Sequence, residues 1–398
     1  MSKPLPKVIL RNEKSEAVKR FHPWIFSGAI ANADRDIDDG DLVQVEDQRG
    51  NFLAIGHFNS NNIAVKVLSF QKFKDVESCF LRKVKAAYEM RKAIGLAESA
   101  ETNCYRLINA EGDGLPGLVI DWYNGTAVVL AYSIAMYRSR ELLVDCLKEV
   151  YGDRLHAVYD KSASVLPKSF TANSTMRNEY IYGSRRMETV LEYGHEFIVD
   201  WETGQKTGFF IDQREHRHQL AQYVKDKSVL NTFCYSGGFS VYAVKAGASM
   251  VHSLDSSVKA MDWTTQNVAL NNPHHVEHKS ITGDVFDYLI GCEQEYDVII
   301  LDPPAFAKNQ SARHAAVMAY KRLNYEAIAQ VKPGGIVMTF SCSQVVTPDL
   351  FKGAVVAGAI ESGRSVQILD HLTQPADHPT SLYHPEGLYL KGLVLRVG

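Results

Sequence analysis

The chain has 398 residues, 45% hydrophobic and 22% charged, with a formal net charge of −3. That length predicts two or three domains, and the balance is that of a water-soluble globular protein. No apolar run reaches the roughly 20 residues of a membrane span, and Met1 to Pro6 offers no signal-peptide core, so a cytoplasmic protein with no membrane partner is expected.

The first segment, to about residue 70, reads as short strands. Asp41 to Asp47 alternates apolar with polar residues and breaks at Arg49-Gly50-Asn51, a hairpin signal. Phe52 to Gly56 and Ile63 to Leu68 continue the pattern, and a small β-barrel would bury one face of such strands. Lys3, Lys7, Arg11, Lys14, Lys19 and Arg20 crowd this segment against Glu13 and Glu16, a local basic footprint that the net charge hides.

A helical run follows from Cys79 to about Ile94, then strands at Cys104 to Ile108, Leu118 to Asp121 and Ala127 to Tyr132. A helix from about Ser139 to Val150 and a strand from His156 to Asp160 complete an α+β unit. Lys168 to Tyr180 carries no periodicity and reads as a loop or linker. From about residue 190 strands and helices alternate. Strands are expected at Ser228 to Phe233, Met250 to Leu254, Tyr296 to Leu301 and Gly335 to Phe340, with a helix from Ser256 to Leu270. Val317, Tyr320, Leu323, Ile328 and Val331 mark the face of another helix. Such alternation predicts a parallel sheet covered on both faces, with ligands beyond the carboxyl ends of its strands. The resulting division is 1–72, a small β-barrel; 73–188, an α+β middle domain; and 189–398, a Rossmann-like α/β domain.

The residues just after each strand therefore carry the candidate chemistry. Cys234-Tyr235-Ser236-Gly237-Gly238-Phe239 follows the first strand; paired glycines let a backbone approach a ligand, although a lone pair is more often an ordinary turn. Asp255 follows the second, where a carboxylate accepts ribose hydroxyls. Asp284 stands after the next, either facing an adenine amine beside Val285 and Phe286 or capping a helix. Asp302-Pro303-Pro304-Ala305-Phe306 follows an apolar strand as a rigid shelf for a flat base, with Phe306 as a stacking face. Cys342, in Ser341-Cys342-Ser343, would face the same cleft as Asp302. The other cysteines, Cys79, Cys104, Cys146, Cys234 and Cys292, form no CxxC pair and are expected to be small buried hydrophobes. His216, His218, His274, His275 and His278 lie in polar sequence and read as solvated surface residues, so no metal is expected.

These residues together resemble a class I methyltransferase, and nearly the whole chain is similar to the RlmI-type 23S rRNA 5-methylcytosine methyltransferases with an N-terminal PUA domain. The motifs are His22 to Gly28, Tyr105 to Ile108, Glu111 to Gly117, Lys206 to Arg214, Gly237-Gly238, Asp302-Pro303-Pro304, Ser341-Cys342-Ser343 and Pro385 to Gly392. The resemblance implies a PUA-like first domain, S-adenosyl-L-methionine as cofactor and 23S rRNA as partner. It places Phe210, Asp212, Gln213, Arg214, Phe233, Tyr235, Ser236 and Gly237 at the methionine end of the cofactor. Asp255 would hold its ribose, Asp284 with Val285 its adenine, and Asp302-Pro303 the shelf between cofactor and base. Cys342 would be the nucleophile and Asp302 its helper, through N3 or the exocyclic amine of cytosine. Ala305-Phe306 stands where many RNA 5-methylcytosine enzymes keep a second cysteine; the RlmI type also lacks it.

Carbon 5 of cytosine is a poor nucleophile, and a thiolate adding at carbon 6 activates it. The alternatives are a nitrogen methyltransferase acting on a purine of rRNA, a dinucleotide oxidoreductase, or an RNA-binding module with an inactive catalytic domain. The oxidoreductase would need a GxGxxG turn where the chain has Cys-Tyr-Ser-Gly-Gly-Phe. The nucleotide modified, the base that removes the carbon 5 proton and the oligomeric state, a homodimer included, stay open at the level of sequence.

Overall fold

A computed structural model describes residues 4–171, 176–186, 189–292 and 295–398. The chain divides into two compact units. The first comprises Met1–Glu188, Asp200–Phe209 and Ala376–Gly387; the second comprises Thr189–Val199, Phe210–Pro375 and Leu388–Gly398. No helix among the described residues is long and apolar enough to cross a membrane.

The first unit holds two sheets. One has six strands in the order Trp24–Phe26, Ile63–Ser69, Phe52–Phe58, Leu42–Asp47, Lys7–Leu10 and Ile30–Ala33. Its pairs are antiparallel except that between Lys7–Leu10 and Leu42–Asp47. The alternation read from the sequence buries Val43 and Val45 against Val8, Leu10, Ile25 and Val65. The expected hairpin forms at Gly50, whose φ of 79° suits a residue without Cβ. The Asp47 carboxylate closes it by accepting from the N–H groups of Arg49 and Asn51.

The second sheet has five strands in the order Glu179–Gly183, Ala157–Asp160, Thr126–Ala131, Leu118–Tyr123 and Cys104–Asn109. Helices Val76–Ala93 and Arg140–Tyr151 pack against each other. The expected loop from Lys168 to Tyr180 is partly wrong. Lys168–Thr171 is a short helix and Glu179–Gly183 is an edge strand antiparallel to Ala157–Asp160, while residues 172–175 lie outside the described ones. Edge position explains the miss, because its first four residues are each half-buried and leave no apolar alternation to read.

The second unit is built on one seven-stranded sheet: β1 (Ser228–Thr232), β2 (Met250–Asp255), β3 (Glu277–Thr282), β4 (Val298–Leu301), β5 (Ile336–Ser341), β6 (Val366–Thr373) and β7 (Lys391–Val397). The strand order is β3-β2-β1-β4-β5-β7-β6. The first five run parallel, as expected, and β7 and β6 close one edge antiparallel. Sequence reading did not mark β6 and β7 as strands. Around the sheet lie α1 (Arg214–Leu220), α2 (Gly238–Lys245), α3 (Val258–Leu270), α4 (Val285–Ile290), α5 (Arg313–Gln330) and α6 (Pro348–Ser362). β1, β4 and β5 are buried along their whole length, which is why they read as apolar runs rather than alternations. Tyr320, Leu323 and Ile328 carry the predicted face of α5 into the core, with Val331 just beyond its end.

Candidate active site

The order reversal of the sheet falls between β1 and β4, and the functional candidates of this unit gather around the carboxyl ends of its strands. After β1 the backbone turns through three left-handed residues, Phe233 (φ 53°), Tyr235 (φ 49°) and Gly237 (φ 79°). Two of them carry side chains, so the turn is strained and its neighbours must hold it. Asp255 does part of that work: its Oδ2 accepts from the Tyr235 N–H at 3.0 Å and its Oδ1 from the Ser257 N–H at 3.0 Å. Thr264 and Asn267 of α3 donate to the carbonyls of Tyr235 and Ser236, at 2.8 and 2.9 Å.

The glycine pair has a packing reason that the sequence did not reveal. A Cβ on Gly237 would stand 2.7 Å from Cγ2 of Thr264, and one on Gly238 would stand 2.9 Å from Cδ of Arg217. The pair therefore lets α2 approach α3 and α1 closely, whatever it also does for a ligand.

Arg217 ties a second segment to that turn. It is buried, clasps the buried Glu192 carboxylate through Nε and Nη2 at 2.7 Å each, and donates from Nη1 to the Phe210 carbonyl at 3.0 Å. Phe210 sets its ring edge-on to Tyr235, with centroids 5.1 Å apart. Asp212 is buried and accepts from the Tyr389 hydroxyl at 2.7 Å. Gln213 is buried as well; its Nε2 donates to Asp302 Oδ1 at 2.9 Å and its Oε1 faces His216 Nδ1 at 2.5 Å. Arg214 is almost fully buried beside Glu215, with its guanidinium over the Tyr193 ring.

Asp284 is exposed and caps α4, its Oδ1 accepting from the N–H groups of Phe286 and Asp287. Its Oδ2 meets no protein donor among the described residues. Val285 is buried in the core below it. After β4, Asp302 is half-buried and Pro303 buried. Phe306 turns inward, its ring 4.7 Å from Tyr320 and 6.4 Å from Phe286. After β5 comes Cys342, half-buried, whereas the other five cysteines are buried as expected. Cys342 and Asp302 both act electrostatically on the Tyr320 hydroxyl, whose pKa burial and these two neighbours push up to about 12.

Not every expectation held. His216 is buried, and burial lowers its pKa to about 4. His278 is half-buried on Ser253 Oγ at 2.8 Å and is lowered to about 4 by the same cause. Both were read as solvated because their neighbours in sequence are polar; His218, His274 and His275 are exposed. Sequence reasoning also missed Arg217, Glu192 and Lys391, which join segments far apart in the chain. No group of three His, Cys, Asp or Glu suited to a metal occurs among the described residues.

The donor set suits S-adenosylmethionine. Each carboxylate oxygen has two lone pairs, so Asp255, with one backbone donor on each oxygen, keeps acceptor capacity for two ribose hydroxyls. Asp284, whose Oδ1 takes both cap hydrogen bonds, has acceptor capacity left on Oδ2. Phe210 and Tyr235 offer aromatic surface beside the turn.

Comparison with known proteins agrees with this arrangement. Residues 8–70 match a family described as a PUA-like domain, and residues 106–396 match a family described as an S-adenosylmethionine-dependent methyltransferase. The chain is 36% identical over 396 residues to ribosomal RNA large subunit methyltransferase I of Enterobacter sp. (strain 638), covering 98% of this chain and 99% of that one. It is 38% identical over 397 residues to the protein of that name from Aeromonas hydrophila, covering 98% of each. Among solved structures, SMU.776, a methyltransferase complexed with SAH, superposes with a TM-score of 0.84 at 25% identity, covering 98% of this chain and all of that one. S-adenosylmethionine is the cofactor, and the chain belongs to the S-adenosylmethionine-dependent ribosomal RNA large subunit methyltransferase I family.

Proposed function

We propose that this enzyme forms 5-methylcytosine in 23S rRNA, with Cys342 as the nucleophile. The observation that carries the reading is Cys342 itself. It is the one cysteine of six that is not buried, and it follows a central parallel strand within the electrostatic reach of the group that Asp302 also acts on. A merely structural thiol has no reason to differ from the other five.

In this reading a bond forms between the Cys342 sulfur and carbon 6 of the cytosine, making carbon 5 nucleophilic. When bound, S-adenosylmethionine supplies the methyl group that ends on carbon 5. A base then takes the carbon 5 proton and the sulfur–carbon bond breaks, freeing the thiolate. Asp302, held by Gln213, accepts a hydrogen bond from the cytosine amine and orients the ring. Phe210, Asp212, Gln213, Arg214, Phe233, Tyr235, Ser236 and Gly237 form or brace the methionine end of the cofactor site. Asp255 takes the ribose, Asp284 and Val285 the adenine, and Asp302 with Pro303 the floor between cofactor and base. The target base has to leave its stack, which is cheapest in single-stranded or looped RNA. Residues 1–72 and 73–188 are assigned the phosphate and shape contacts.

The test is methylation of 23S rRNA lacking its modifications with labelled S-adenosylmethionine, wild type beside Cys342→Ala, with product nucleosides identified by mass spectrometry. Label in 5-methylcytidine from the wild type and none from the variant is the expected result. Label on a purine, or an unimpaired variant, would transfer the function to nitrogen methylation.

A further inference from the structure

Strand β7 opens with a buried lysine, followed by the buried apolar run Gly-Leu-Val-Leu and then the exposed Arg396. Its register places Lys391 opposite Ser341, the residue before Cys342. Only 8% of Lys391 is exposed, and burying an ammonium is costly unless something on the protein needs the charge. Its Nζ donates to the carbonyls of Ser343 at 2.5 Å and Val346 at 2.7 Å, both in the loop that leaves Cys342. An ammonium has three protons, and the third meets no acceptor among the described residues.

The surrounding charges narrow what that ammonium does. From α5, Tyr320 presents a hydroxyl that accepts from Ser341 Oγ at 2.9 Å and stays neutral at physiological pH. From the end of β4, Asp302 brings a carboxylate, which opposes ionisation of a neighbouring thiol. From β7 comes Lys391, the cation of the three. Burial lowers its pKa to about 8 against the opposing pull of the Cys342 charge, so the two groups support each other's ionised forms.

We infer that Lys391 is the counter-charge of the Cys342 thiolate: clamped by the loop after Cys342, its ammonium keeps the sulfur ionised and nucleophilic near neutral pH. Lys391 acts through Cys342 and is a positioning residue in an electrostatic sense. The inference rests on the reading of Cys342 as nucleophile. A competing account makes Lys391 a clip that only holds the loop from Ser343 to Val346. Such a clip would affect stability and leave the thiol's titration where it is.

The experiment is alkylation of the full-length protein with iodoacetamide across about pH 5 to 10, reading Cys342 by peptide mass spectrometry. The five buried cysteines serve as internal controls. The wild-type midpoint is expected about one unit below the usual thiol value of about 8.5. Lys391→Met should raise it by about one unit and slow alkylation about tenfold near neutrality, while Lys391→Arg restores most of the reactivity. A Lys391→Met protein that stays folded with an unchanged midpoint overturns the inference. So does a wild-type midpoint at or above about 8.5, which decides the matter even if Lys391→Met does not fold. Full methylation by Cys342→Ala would end the nucleophile reading and leave the alkylation result standing, so the two failures are separable.

Discussion

Each unit has a buried arginine that clasps a buried carboxylate, Arg91 in the first and Arg217 in the second, and the two are used differently. In the first unit Arg91 is inaccessible to solvent and spends its donors on the fold. It clasps Asp113 through both terminal nitrogens and also donates to the carbonyls of Arg106, Ala87 and Asp377. In the second unit Arg217 makes a similar two-pronged clasp on Glu192, but its remaining Nη1 holds the carbonyl of Phe210, where the segment proposed to line the cofactor begins. On the proposed site, the same chemistry serves architecture alone in one unit and positions a ligand site in the other.

The largest expected effect tests that difference directly. Arg91→Met strands the Asp113 carboxylate, which is only 6% exposed, and Arg217→Met strands Glu192, which is wholly buried. Each should lose about 3–5 kcal/mol of stability, because an uncompensated buried charge remains. Thermal unfolding would check this. The two should diverge in calorimetric titration with S-adenosylmethionine: folded Arg91→Met binds like the wild type, whereas Arg217→Met binds at least several-fold more weakly. Equal losses of affinity in both would erase the distinction.

A second effect, of intermediate size, follows from buried histidines. His195, His216 and His278 in the second unit, and His57 in the first, have pKa values lowered to about 4, chiefly by burial. Between about pH 6.5, the ordinary value, and about 4 the unfolded chain binds protons that the folded one refuses. The stability held by these neutral histidines is therefore full above pH 6.5 and lost as pH falls toward 4. With three of the four in the second unit, acidification from pH 7 to 5 should lower that unit's unfolding temperature more. Calorimetry with and without S-adenosylhomocysteine identifies the second unit's transition by its ligand shift. A larger fall in the other transition would contradict the assignment.

The same contrast explains what could be read from the sequence. The places of Asp255, Asp302 and Cys342 were legible because Asp255 ends β2 while Asp302 and Cys342 directly follow β4 and β5, and topology then fixes where strand ends lead. Arg217, His216 and Lys391 were not, because their meaning lies in partners elsewhere in the chain. Lys391 gains its role only when β7 returns antiparallel beside β5, a pairing that no local pattern signals. The glycine pair was legible as a feature but not in its reason, since Thr264 and Arg217 lie outside any local window. His216 looked solvated among polar neighbours, yet its helix turns that face toward Phe340, with centroids 5.1 Å apart. Even in the first unit, the edge strand Glu179–Gly183 escaped because a half-exposed strand carries little period-two signal.

The smallest expected effect separates two roles that coexist on one residue. Asp284 uses Oδ1 to cap α4 and keeps Oδ2 without a protein donor among the described residues. Asparagine caps a helix about as well as aspartate, whereas alanine does not. Asp284→Asn should therefore leave the unfolding temperature nearly unchanged, while Asp284→Ala loses about 0.5–2 kcal/mol. If the residue also holds the adenine amine, S-adenosylmethionine binding must weaken in both variants. The Asn form, with its neutral amide oxygen, should be a few-fold weaker and the Ala form about tenfold, a scale of about 1.5 kcal/mol for a hydrogen bond to a charged group. Unchanged affinity in both would leave Asp284 a helix cap and nothing more, and the adenine would then have to be held by Val285 and its apolar neighbours alone.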